Sequence, residues 1–441
     1  MNIQMPENVE YIIETLNTCG HEAYIVGGCV RDSILGRRPG DWDITTSARP
    51  EQVKDCFSKT IDTGLKHGTV TVVLNGENFE VTTFRIEGEY EDNRRPSSVE
   101  FTSSLEEDLS RRDFTSNAIA YHPQKGYVDP FNGRKDIDKK VTRAVGDAGQ
   151  RYREDALRML RAIRFSAQLN FEIETAAFAA IKENAHLIQK ISQERIRDEL
   201  TKLLLSDNVF KFTLLWEAGL LTYILPEFEP CFTTTQKNPW HAYNVAEHTL
   251  HTVAGIEKNK VLRWTMLLHD IGKPVTKTTD EKGIDHFYGH PKKSVTMSEK
   301  ILKRLRFDND SIHRILRLVE HHDRQIEAAA RPVRKAVAVI GEDIFPDLLK
   351  VKEADKRGQS PKKLEESLAD IRRIGEVYRD IKERGQCVNI KNLAINGNDL
   401  IARGIKPGKE MGQLLEKLFK LVLDRPEMNT KEALLAYIDG N

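Results

Sequence analysis

The chain of 441 residues is 39% hydrophobic and 30% charged, the composition of a globular protein with several cores and three or four domains. Lysine plus arginine and aspartate plus glutamate number 67 each, so the bulk charge gives no argument for nucleic-acid binding. No apolar run approaches the length of a membrane span, and the first residues lack the basic and apolar regions of a signal peptide. We therefore expect a cytoplasmic protein with no membrane partner.

The number and spacing of the cysteines argue against a disulfide-stabilised domain and against a zinc-binding domain. They are odd in number, scattered along the chain and never in Cys-x-x-Cys spacing, so neither a disulfide framework nor a zinc ribbon is predicted. We expect reduced and mostly structural thiols at Cys19, Cys29, Cys56, Cys231 and Cys387.

The first strong element is a short buried strand over residues 23–26, which ends in Gly27 and Gly28. Glycines permit unusual backbone dihedral angles and let a ligand approach closely. A helix is predicted from about Arg31 to Leu35, and the free amides at its start can hold a phosphate.

Asp41 and Asp43 follow this turn with one residue between them. In an extended segment, residues i and i+2 point to the same side, so the two carboxylates can converge and need cations. Mg²⁺ takes few carboxylates and recruits phosphate oxygens, which predicts metal-dependent phosphoryl chemistry on a nucleotide. The alternative is a loop in which the Asp-x-Asp pattern occurs by chance.

A β-hairpin is predicted over residues 69–85, with its turn at Asn75-Gly76. Its second strand carries a third carboxylate, Glu80. Glu80 either completes the metal site or is an ordinary outward-facing strand residue.

Strand signals concentrate before about Tyr121, whereas the chain after about Asp147 is helical almost throughout. This predicts an α+β fold, in which a head with a mixed β-sheet and helices precedes an all-helical remainder. One helix is expected to run from Tyr152 to Phe165, with Asp155 and Arg158 on its polar face. The predicted domains are a head (1–146), a helical neck (147–228), a third helical domain (229–375) and a helical tail (376–441).

Five motifs in a fixed order carry a family resemblance. The chain resembles the class II tRNA nucleotidyltransferases, the CCA-adding enzymes, and their bacterial poly(A) polymerase relatives. The motifs are Gly27-Gly28-x-x-Arg31-Asp32, Asp41-x-Asp43, the segment 111–118, Glu154-Asp155-x-x-Arg158 and the segment 192–200.

The resemblance implies roles for single residues. Asp41 and Asp43 match the aspartates that hold two Mg²⁺ ions, and Glu80 matches a carboxylate near that site in some members. Asp155 and Arg158 match the residues that read the base of CTP or ATP; the alternative is a local Asp155/Arg158 or Glu154/Arg158 ion pair. The other expected nucleotide-binding residues are Gly27, Gly28, Arg31, Arg111, Arg112, Asp113, Asn117, Arg161 and Arg164.

The predicted function is addition of CCA, or of its terminal A, to the 3′ end of tRNA, with CTP and ATP as donors and no nucleic-acid template. Residues 91–101 resemble a loop that takes part in the switch from C to A addition, so a C-only enzyme is disfavoured. The alternatives are a poly(A) polymerase, a metal-dependent phosphohydrolase whose head only binds nucleotide, and a non-catalytic RNA-binding protein. The oligomeric state is left undefined.

A second constellation resembles an HD phosphohydrolase domain. Its expected metal ligands are His248, His269, Asp270 and Asp355. The same region contains the stretch 286–290, which ends in a histidine, and the pair His321-His322. Imidazole and carboxylate groups from several helices suit one or two divalent ions, so a second metal cofactor is expected here. The alternative is a structural support without hydrolytic activity.

Overall fold

The computed structural model of the protein describes residues 2–88, 90–91, 95–96, 98–237, 243–359 and 364–440. Its internal contacts divide the chain into two compact units, Met1–Pro226 and Glu227–Asn441. The division into four domains stays a prediction.

The first unit opens with strands and helices in alternation and continues with helices. Its helices are α1 (Glu7–Thr18), α2 (Gly28–Ile34), α3 (Pro50–Cys56), α4 (Leu105–Ser110), α5 (Gly133–Asp138), α6 (Ala148–Glu154), α7 (Leu157–Leu169), α8 (Thr175–Asn184), α9 (Gln193–Leu204), α10 (Thr213–Glu217) and α11 (Leu221–Ile224). Its strands are β1 (Ala23–Val26), β2 (Ile44–Thr46), β3 (Thr60–Gly64), β4 (Thr69–Leu74), β5 (Glu77–Thr83), β6 (Arg85–Glu87), β7 (Tyr90–Glu91), β8 (Arg95–Pro96), β9 (Val99–Phe101), β10 (Ala120–His122), β11 (Gly126–Val128), β12 (Val141–Thr142) and β13 (Glu172–Ile173).

Seven of these strands form one mixed sheet in the order β11-β10-β1-β2-β5-β4-β3. β2 pairs with β1 in antiparallel and with β5 in parallel orientation, which places the start of β2 between two strands. The predicted α+β fold is confirmed.

The buried strand and the hairpin predicted from the sequence are both present. All four residues of β1 are buried, in keeping with its continuous apolar sequence. β4 and β5 pair directly, and Asn75 and Gly76 at their turn have φ angles of 51° and 81°, as a two-residue hairpin turn requires.

Two predicted helices have different bounds in the structure. The helix after the glycine turn begins at Gly28, three residues before the predicted start. The single helix expected over 152–165 is wrong, because α6 ends at Glu154 and Asp155 adopts an extended conformation before α7 starts at Leu157.

The second unit is almost entirely helical in the part of the chain that is described. Its helices are α12 (Glu229–Thr233), α13 (Val245–Ala254), α14 (Lys260–Leu268), α15 (Lys273–Thr276), α16 (His290–Arg304), α17 (Asn309–His321), α18 (Ala330–Ile340), α19 (Phe345–Arg357), α20 (Leu364–Glu383), α21 (Gly397–Ile401), α22 (Lys409–Asp424) and α23 (Lys431–Asp439), with the small hairpin β14 (Thr278–Thr279) and β15 (Asp285–His286). Among the described residues of the chain, none of the helices has both the length and the apolar character needed to cross a membrane.

Candidate functional site

Asp43 immediately precedes β2, and a backbone hydrogen bond to β1 holds its position. The Val26 amide donates a hydrogen bond of 3.0 Å to the Asp43 carbonyl oxygen, which extends the pairing between β1 and β2. Ile44 is in register with Val81 on the parallel strand β5. Glu80 precedes Val81, so Asp43 and Glu80 occupy corresponding positions on neighbouring strands.

These carboxylates line an open pocket of about 1300 Å³. Asp41, Asp43 and Glu80 are all exposed at its wall. Desolvation at the wall and the negative charges of Asp41 and Glu80 raise the pKa of Asp43, against the opposing charge of Arg112. Among the described residues, these three carboxylates do not all come within 4.8 Å of one another, so enclosing a cation requires further oxygens from water or substrate.

The glycine turn approaches the same place. Gly27 has a φ of 83°, and a Cβ atom there would lie 3.0 Å from Arg112 Nη1 and 3.8 Å from Asp43 Oδ2. A side chain is therefore disfavoured at Gly27 both by the backbone conformation and by the guanidinium beside it.

The two arginines of the 111–118 segment share one buried carboxylate. Arg111 donates to Asp108 Oδ1 through Nε and Nη2 at 2.9 and 2.7 Å, and Arg112 Nη2 lies 3.5 Å from Asp108 Oδ2. Burial opposes ionisation of Asp108, but the charges of the two arginines outweigh it and lower its pKa. Sequence reasoning missed Asp108, which anchors both predicted nucleotide-binding arginines.

A buried polar chain links the glycine turn to α7. Arg31 donates to Asn117 Oδ1 at 2.6 Å, and Asn117 donates to Asp113 Oδ1 at 3.0 Å. Arg161 in turn donates to Asp113 Oδ2 at 2.8 Å through Nε. Burial raises the pKa of Asp113, but Arg161 and the hydrogen bond from Asn117 outweigh burial, so the pKa is lowered to about 2.

Three of the arginines predicted to bind nucleotide lie close to the aromatic ring of Phe165. The guanidinium carbons of Arg31, Arg161 and Arg164 lie 5.0, 5.4 and 3.7 Å from its centroid. These are cation–π distances. Arg164 also pairs with the buried carboxylate of Glu199.

Asp155 and Arg158 do not form the helical pair that the sequence predicts. Asp155 accepts a hydrogen bond of 3.0 Å from the Leu157 amide through Oδ1, and its Oδ2 accepts one of 2.9 Å from Arg195. Arg158 donates to Glu154 at 2.7 Å, so the Glu154/Arg158 ion pair considered as the alternative is present. Arg195 is quoted in a sequence motif, but its contact with Asp155 spans 40 residues and has no local signal.

In the second unit, the structure brings together the four residues expected to bind metal in an HD domain. His248 on α13 lies 3.3 Å from Asp270 and 3.1 Å from Asp355, measured from Nε2 to the nearest carboxylate oxygen. His269 Nε2 lies 3.2 Å from Asp270. Burial lowers the pKa of His269, but the charge of Asp270 and its hydrogen bond raise it to about 10.

Glycine at position 358 lets α13 and the end of α19 approach. A Cβ atom at Gly358 would meet Thr252 Cγ2 at 2.5 Å. The Gly358 carbonyl oxygen lies 3.0 Å from His248 Nδ1 and orients that imidazole.

Two further histidines complete this cluster. His290 begins α16 and His322 follows α17, and both imidazoles lie beside Asp270. The sequence contained both in motifs, but neither was predicted as a metal ligand. We call these six residues the histidine–aspartate cluster: His248, His269, Asp270, His290, His322 and Asp355.

Three family models match successive parts of the chain. Residues 23–143 match the poly A polymerase head domain, and residues 170–232 match the probable RNA and SrmB-binding site of polymerase A. Residues 278–438 match a putative tRNA nucleotidyltransferase domain 2.

Two relatives of this chain are CCA-adding enzymes. The CCA-adding enzyme of Ligilactobacillus salivarius is 36% identical over 431 residues, which cover 96% of this chain and 94% of the relative. That of Geobacillus thermodenitrificans is 49% identical over 262 residues, 59% of this chain and 62% of the relative.

A solved structure agrees with these relatives. The Bacillus stearothermophilus CCA-adding enzyme in complex with CTP superposes with a TM-score of 0.74 at 30% identity, covering 99% of this chain and 98% of the other. The resemblance drawn from five sequence motifs is therefore confirmed. Near-complete coverage at this identity means that the chain belongs to the family of CCA-adding enzymes, the tRNA nucleotidyltransferases.

Proposed function

We propose that the protein adds C and A residues to the 3′ end of tRNA, with CTP and ATP as donors and without a nucleic-acid template. The observation that carries this proposal is the parallel register of Ile44 with Val81, because the residues that precede them, Asp43 and Glu80, both line an open pocket, and Gly27 lies beside Asp43. A relative at 30% identity was solved with CTP, which supports a nucleotide as the ligand of this pocket. We place the reaction in the cytoplasm.

Enzymes of this family depend on a divalent metal ion, and Mg²⁺ is the ion we propose. The exposed carboxylates fit it, because Mg²⁺ retains waters and is bound by one or two carboxylates together with substrate phosphates. Asp41 and Asp43 would hold the metal, with Glu80 as a third ligand. Bound there, it would neutralise negative charge on the triphosphate and on the attacking oxygen.

In the reaction, the terminal 3′-hydroxyl oxygen of tRNA attacks the α-phosphorus of the nucleotide. The bond to the bridging oxygen breaks, pyrophosphate leaves, and the hydroxyl proton passes to solvent or a carboxylate. Gly27 and Gly28 leave space for phosphates, while Arg31, Arg111 and Arg112 supply positive charge around them.

Asp113 and Asn117 position Arg31 and Arg161 through the buried chain described above. Held in this way, the guanidinium groups need no reorganisation when negative charge develops on the phosphates. Arg164 belongs to the same group of cations around Phe165.

Base selection is proposed to depend on Asp155 and Arg158. Asp155 offers acceptors and Arg158 a forked donor, which suits the Watson–Crick edge of a base. Because each already has a protein partner, we propose that the nucleotide exchanges with Arg195 at Asp155 and with Glu154 at Arg158.

The decisive experiment incubates the full chain with Mg²⁺ and a tRNA that lacks its CCA end, adding each labelled nucleotide in turn. We expect C, then C, then A, and little incorporation of U or G. Long A tracts without C would instead identify a poly(A) polymerase. The same assay on a tRNA ending in CC tests terminal A addition separately. The C-to-A switching loop predicted over 91–101 includes residues 92–94 and 97, which lie outside the described residues.

The role of Glu80 has a matched control on the same strand. Glu77 also lines the pocket, but its carboxylate accepts a hydrogen bond of 2.9 Å from Asn8. We expect Glu80→Ala to reduce addition by about 10-fold or more and Glu77→Ala to leave it within about 2-fold. Equal effects would remove Glu80 from the metal site.

We also propose a divalent metal ion on His248, His269, Asp270 and Asp355. Their convergence from α13, α14 and α19 supports this, since imidazole and carboxylate ligands suit Mn²⁺ or Ni²⁺ as well as Mg²⁺. Metal analysis of the full chain, with His248→Ala as comparison, tests it. A metal content that is unaffected by this substitution would leave the cluster as a structural support.

A further inference from the structure

The pocket beside the carboxylates of the head extends away from the residues predicted to bind nucleotide. Asp41, Asp43 and Glu80 line it, but none of the predicted nucleotide-binding residues does, although the structure describes all of them. A nucleotide would therefore reach this space with its phosphates. The volume of about 1300 Å³ exceeds the ~300–1,000 Å³ of a typical small-molecule site, so the pocket has room for a second part of the substrate.

The chemistry of the transfer indicates which part that is. In a displacement at phosphorus, the attacking and the leaving oxygen lie roughly in line, on opposite sides of the phosphorus atom. If Gly27 and Arg112 hold the triphosphate, the attacking 3′-hydroxyl approaches the carboxylates from the side of the pocket. The pocket would thus receive the terminal ribose of the acceptor RNA.

Two threonine hydroxyls lie on this pocket next to Glu80. Thr71 on β4 is directly opposite Glu80 on β5, and both residues line the pocket. Directly opposed residues point to the same face of a sheet, with their Cβ atoms about 5 Å apart. The Thr71 Oγ1 lies 2.9 Å from the Oγ1 of Thr63, which also lines the pocket. A hydroxyl pair therefore lies beside one of the carboxylates proposed to hold the metal.

An irregularity in β3 brings Thr63 to this place. Ile61 on β3 is opposite Thr71. The same register would put Thr63 opposite Thr69, but a register shift puts Gly64 there instead. Such bulges re-aim a side chain, often next to an active site. Thr63 is exposed whereas Thr71 is only 5% exposed, so Thr63 presents the hydroxyl pair to the pocket.

Two hydroxyls that are bonded to each other retain both hydrogen-bonding functions. One donates to the other, so the pair keeps one O–H group that can donate and lone pairs that can accept. A ribose 2′-hydroxyl is likewise a donor and an acceptor, and it is the group by which a protein distinguishes RNA from DNA. It also lies on the carbon next to the one that carries the attacking 3′-hydroxyl.

We propose that the hydroxyl pair of Thr63 and Thr71 binds the 2′-hydroxyl of the terminal ribose of the acceptor and makes addition specific for an RNA end. This inference rests on the proposed function, because it places the sugar of the acceptor where addition is proposed to occur. The contact does not involve the base. Acceptors that end in different bases during successive additions are therefore held alike.

A contact between two threonines can also be an ordinary cross-strand pair, and the chain offers a matched example. Thr69 Oγ1 on β4 lies 3.0 Å from Thr82 Oγ1 on β5, and the two residues are directly opposed. Neither is among the residues that line the pocket. Thr69→Val thus removes a similar hydroxyl pair from the same strand and is the control for Thr71→Val.

The test compares two acceptors that differ in one oxygen atom. Both are tRNAs that end in CC, one with a terminal cytidine and the other with a terminal 2′-deoxycytidine, whose 3′-hydroxyl is intact. Addition of A is measured with the full chain, Mg²⁺ and ATP, and the selectivity is the ratio of kcat/KM for the two acceptors. We expect the unmodified chain to favour the ribose end by about 10-fold, which corresponds to one or two net hydrogen bonds.

The variants separate recognition of the sugar from a structural role. Thr71→Val should lower the selectivity to within about 2-fold by slowing addition to the ribose end alone, since the deoxyribose end has no 2′-hydroxyl to lose. Thr63→Val should also lower it. Thr71→Ser, which keeps the hydroxyl, and Thr69→Val should retain the selectivity of the unmodified chain. The KM for ATP should be the same in all of them.

The outcomes separate this inference from the proposed function. Equal kcat/KM for both acceptors in the unmodified chain, or full selectivity in Thr71→Val, would overturn the inference and leave the proposed function. An equal loss of selectivity in Thr69→Val would also overturn it, because the effect would then come from the sheet as a whole. An unmodified chain that adds nothing to either acceptor would overturn the proposed function, and the inference with it.

Discussion

The carboxylates of the head and the histidine–aspartate cluster are both proposed to bind divalent metal ions, but the first are exposed and the second is buried. Asp41 and Glu80 are exposed beside a large open pocket. In the cluster, His248, His269 and Asp270 are at most 1% exposed and already hydrogen-bonded to each other.

This difference in exposure follows from the source of the other metal ligands, which is the substrate in the head and the protein in the cluster. Under the proposed function, a nucleotide would bring phosphate oxygens, so the head would need only a few exposed carboxylates to hold the metal. The cluster draws its ligands from several helices and must therefore bury charges, which persist only when paired. An open site is completed by its substrate, whereas a closed one is completed by the fold.

The largest expected effect concerns Asp43 and tests whether the two sites are independent. Asp43→Ala removes a carboxylate from the wall of the pocket, and we expect tRNA addition to fall about 100-fold or more. The metal bound by the cluster should not change, because Asp43 and the cluster belong to different compact units. Addition assays and metal analysis of the same preparation check this. A parallel loss of cluster metal would contradict the comparison.

The next largest effect is expected from a substitution of Gly27, which lies beside Asp43. At Gly27, φ is 83° and ψ is −129°, a conformation nearly restricted to glycine. Gly27→Ala should lower the free energy of unfolding by about 1–3 kcal/mol and weaken nucleotide binding. Chemical denaturation and CTP titration measure both, with Gly36→Ala as the control, since Gly36 also has positive φ but nothing within 4 Å of its Cβ position. Equal binding by the two variants would show that Arg112 simply moves aside.

A pH-dependent effect is expected at Asp113, behind the open site. Its pKa is about 2 in the folded chain against 3.8 ordinarily, so its ionised form stabilises the fold by about 2 kcal/mol above pH 4. This contribution is lost as the pH falls from about 4 towards 2. We expect Asp113→Asn to be less stable at pH 7 and the difference to shrink at pH 3 in denaturant titrations. Asp138→Asn, an exposed control, should show no such trend; a pH-independent difference at Asp113 would imply a packing effect.

The smallest effect concerns a helix that carries a cluster residue. Asn244 caps α13, where its side chain accepts a hydrogen bond of 2.8 Å from the Glu247 amide. Asn244→Ala should reduce stability by about 1 kcal/mol and speed the release of metal held through His248. Thermal unfolding and metal release to a chelator test this, with the distant cap substitution Thr430→Ala as the control. Unchanged release would show that the N-terminal cap of α13 does not determine how firmly the metal is held.

Local signals predicted much of the fold. The buried strand at 23–26 and the Asn75-Gly76 hairpin have unambiguous periodicity and turn chemistry. The break at Asp155 escaped prediction because Ala, Leu, Met and Arg around it favour a continuous helix. In the structure, the Asp155 carboxylate accepts hydrogen bonds from the Leu157 amide at the start of α7 and from the distant Arg195.

For the sites, the sequence indicated residue types but not partners. The hydrogen bond from Arg31 to Asn117, which links Arg31 to Asp113, joins residues that are 86 positions apart in the sequence, so no local spacing predicts it. His290 and His322 likewise lie on separate helices that only tertiary packing brings to Asp270. Roles assigned to single residues therefore remain predictions.

Phe165 gives the head a property that no single arginine has. Arg31 from α2 and Arg161 and Arg164 from α7 share its ring, so Phe165 joins the residues proposed to bind phosphates to the helix that begins beside Asp155. A nucleotide whose base fits badly would thus also hold its phosphates badly. If Asp155 and Arg158 select the base as proposed, we expect a substitution of Phe165 to reduce the accuracy of nucleotide selection without altering any group that touches the base.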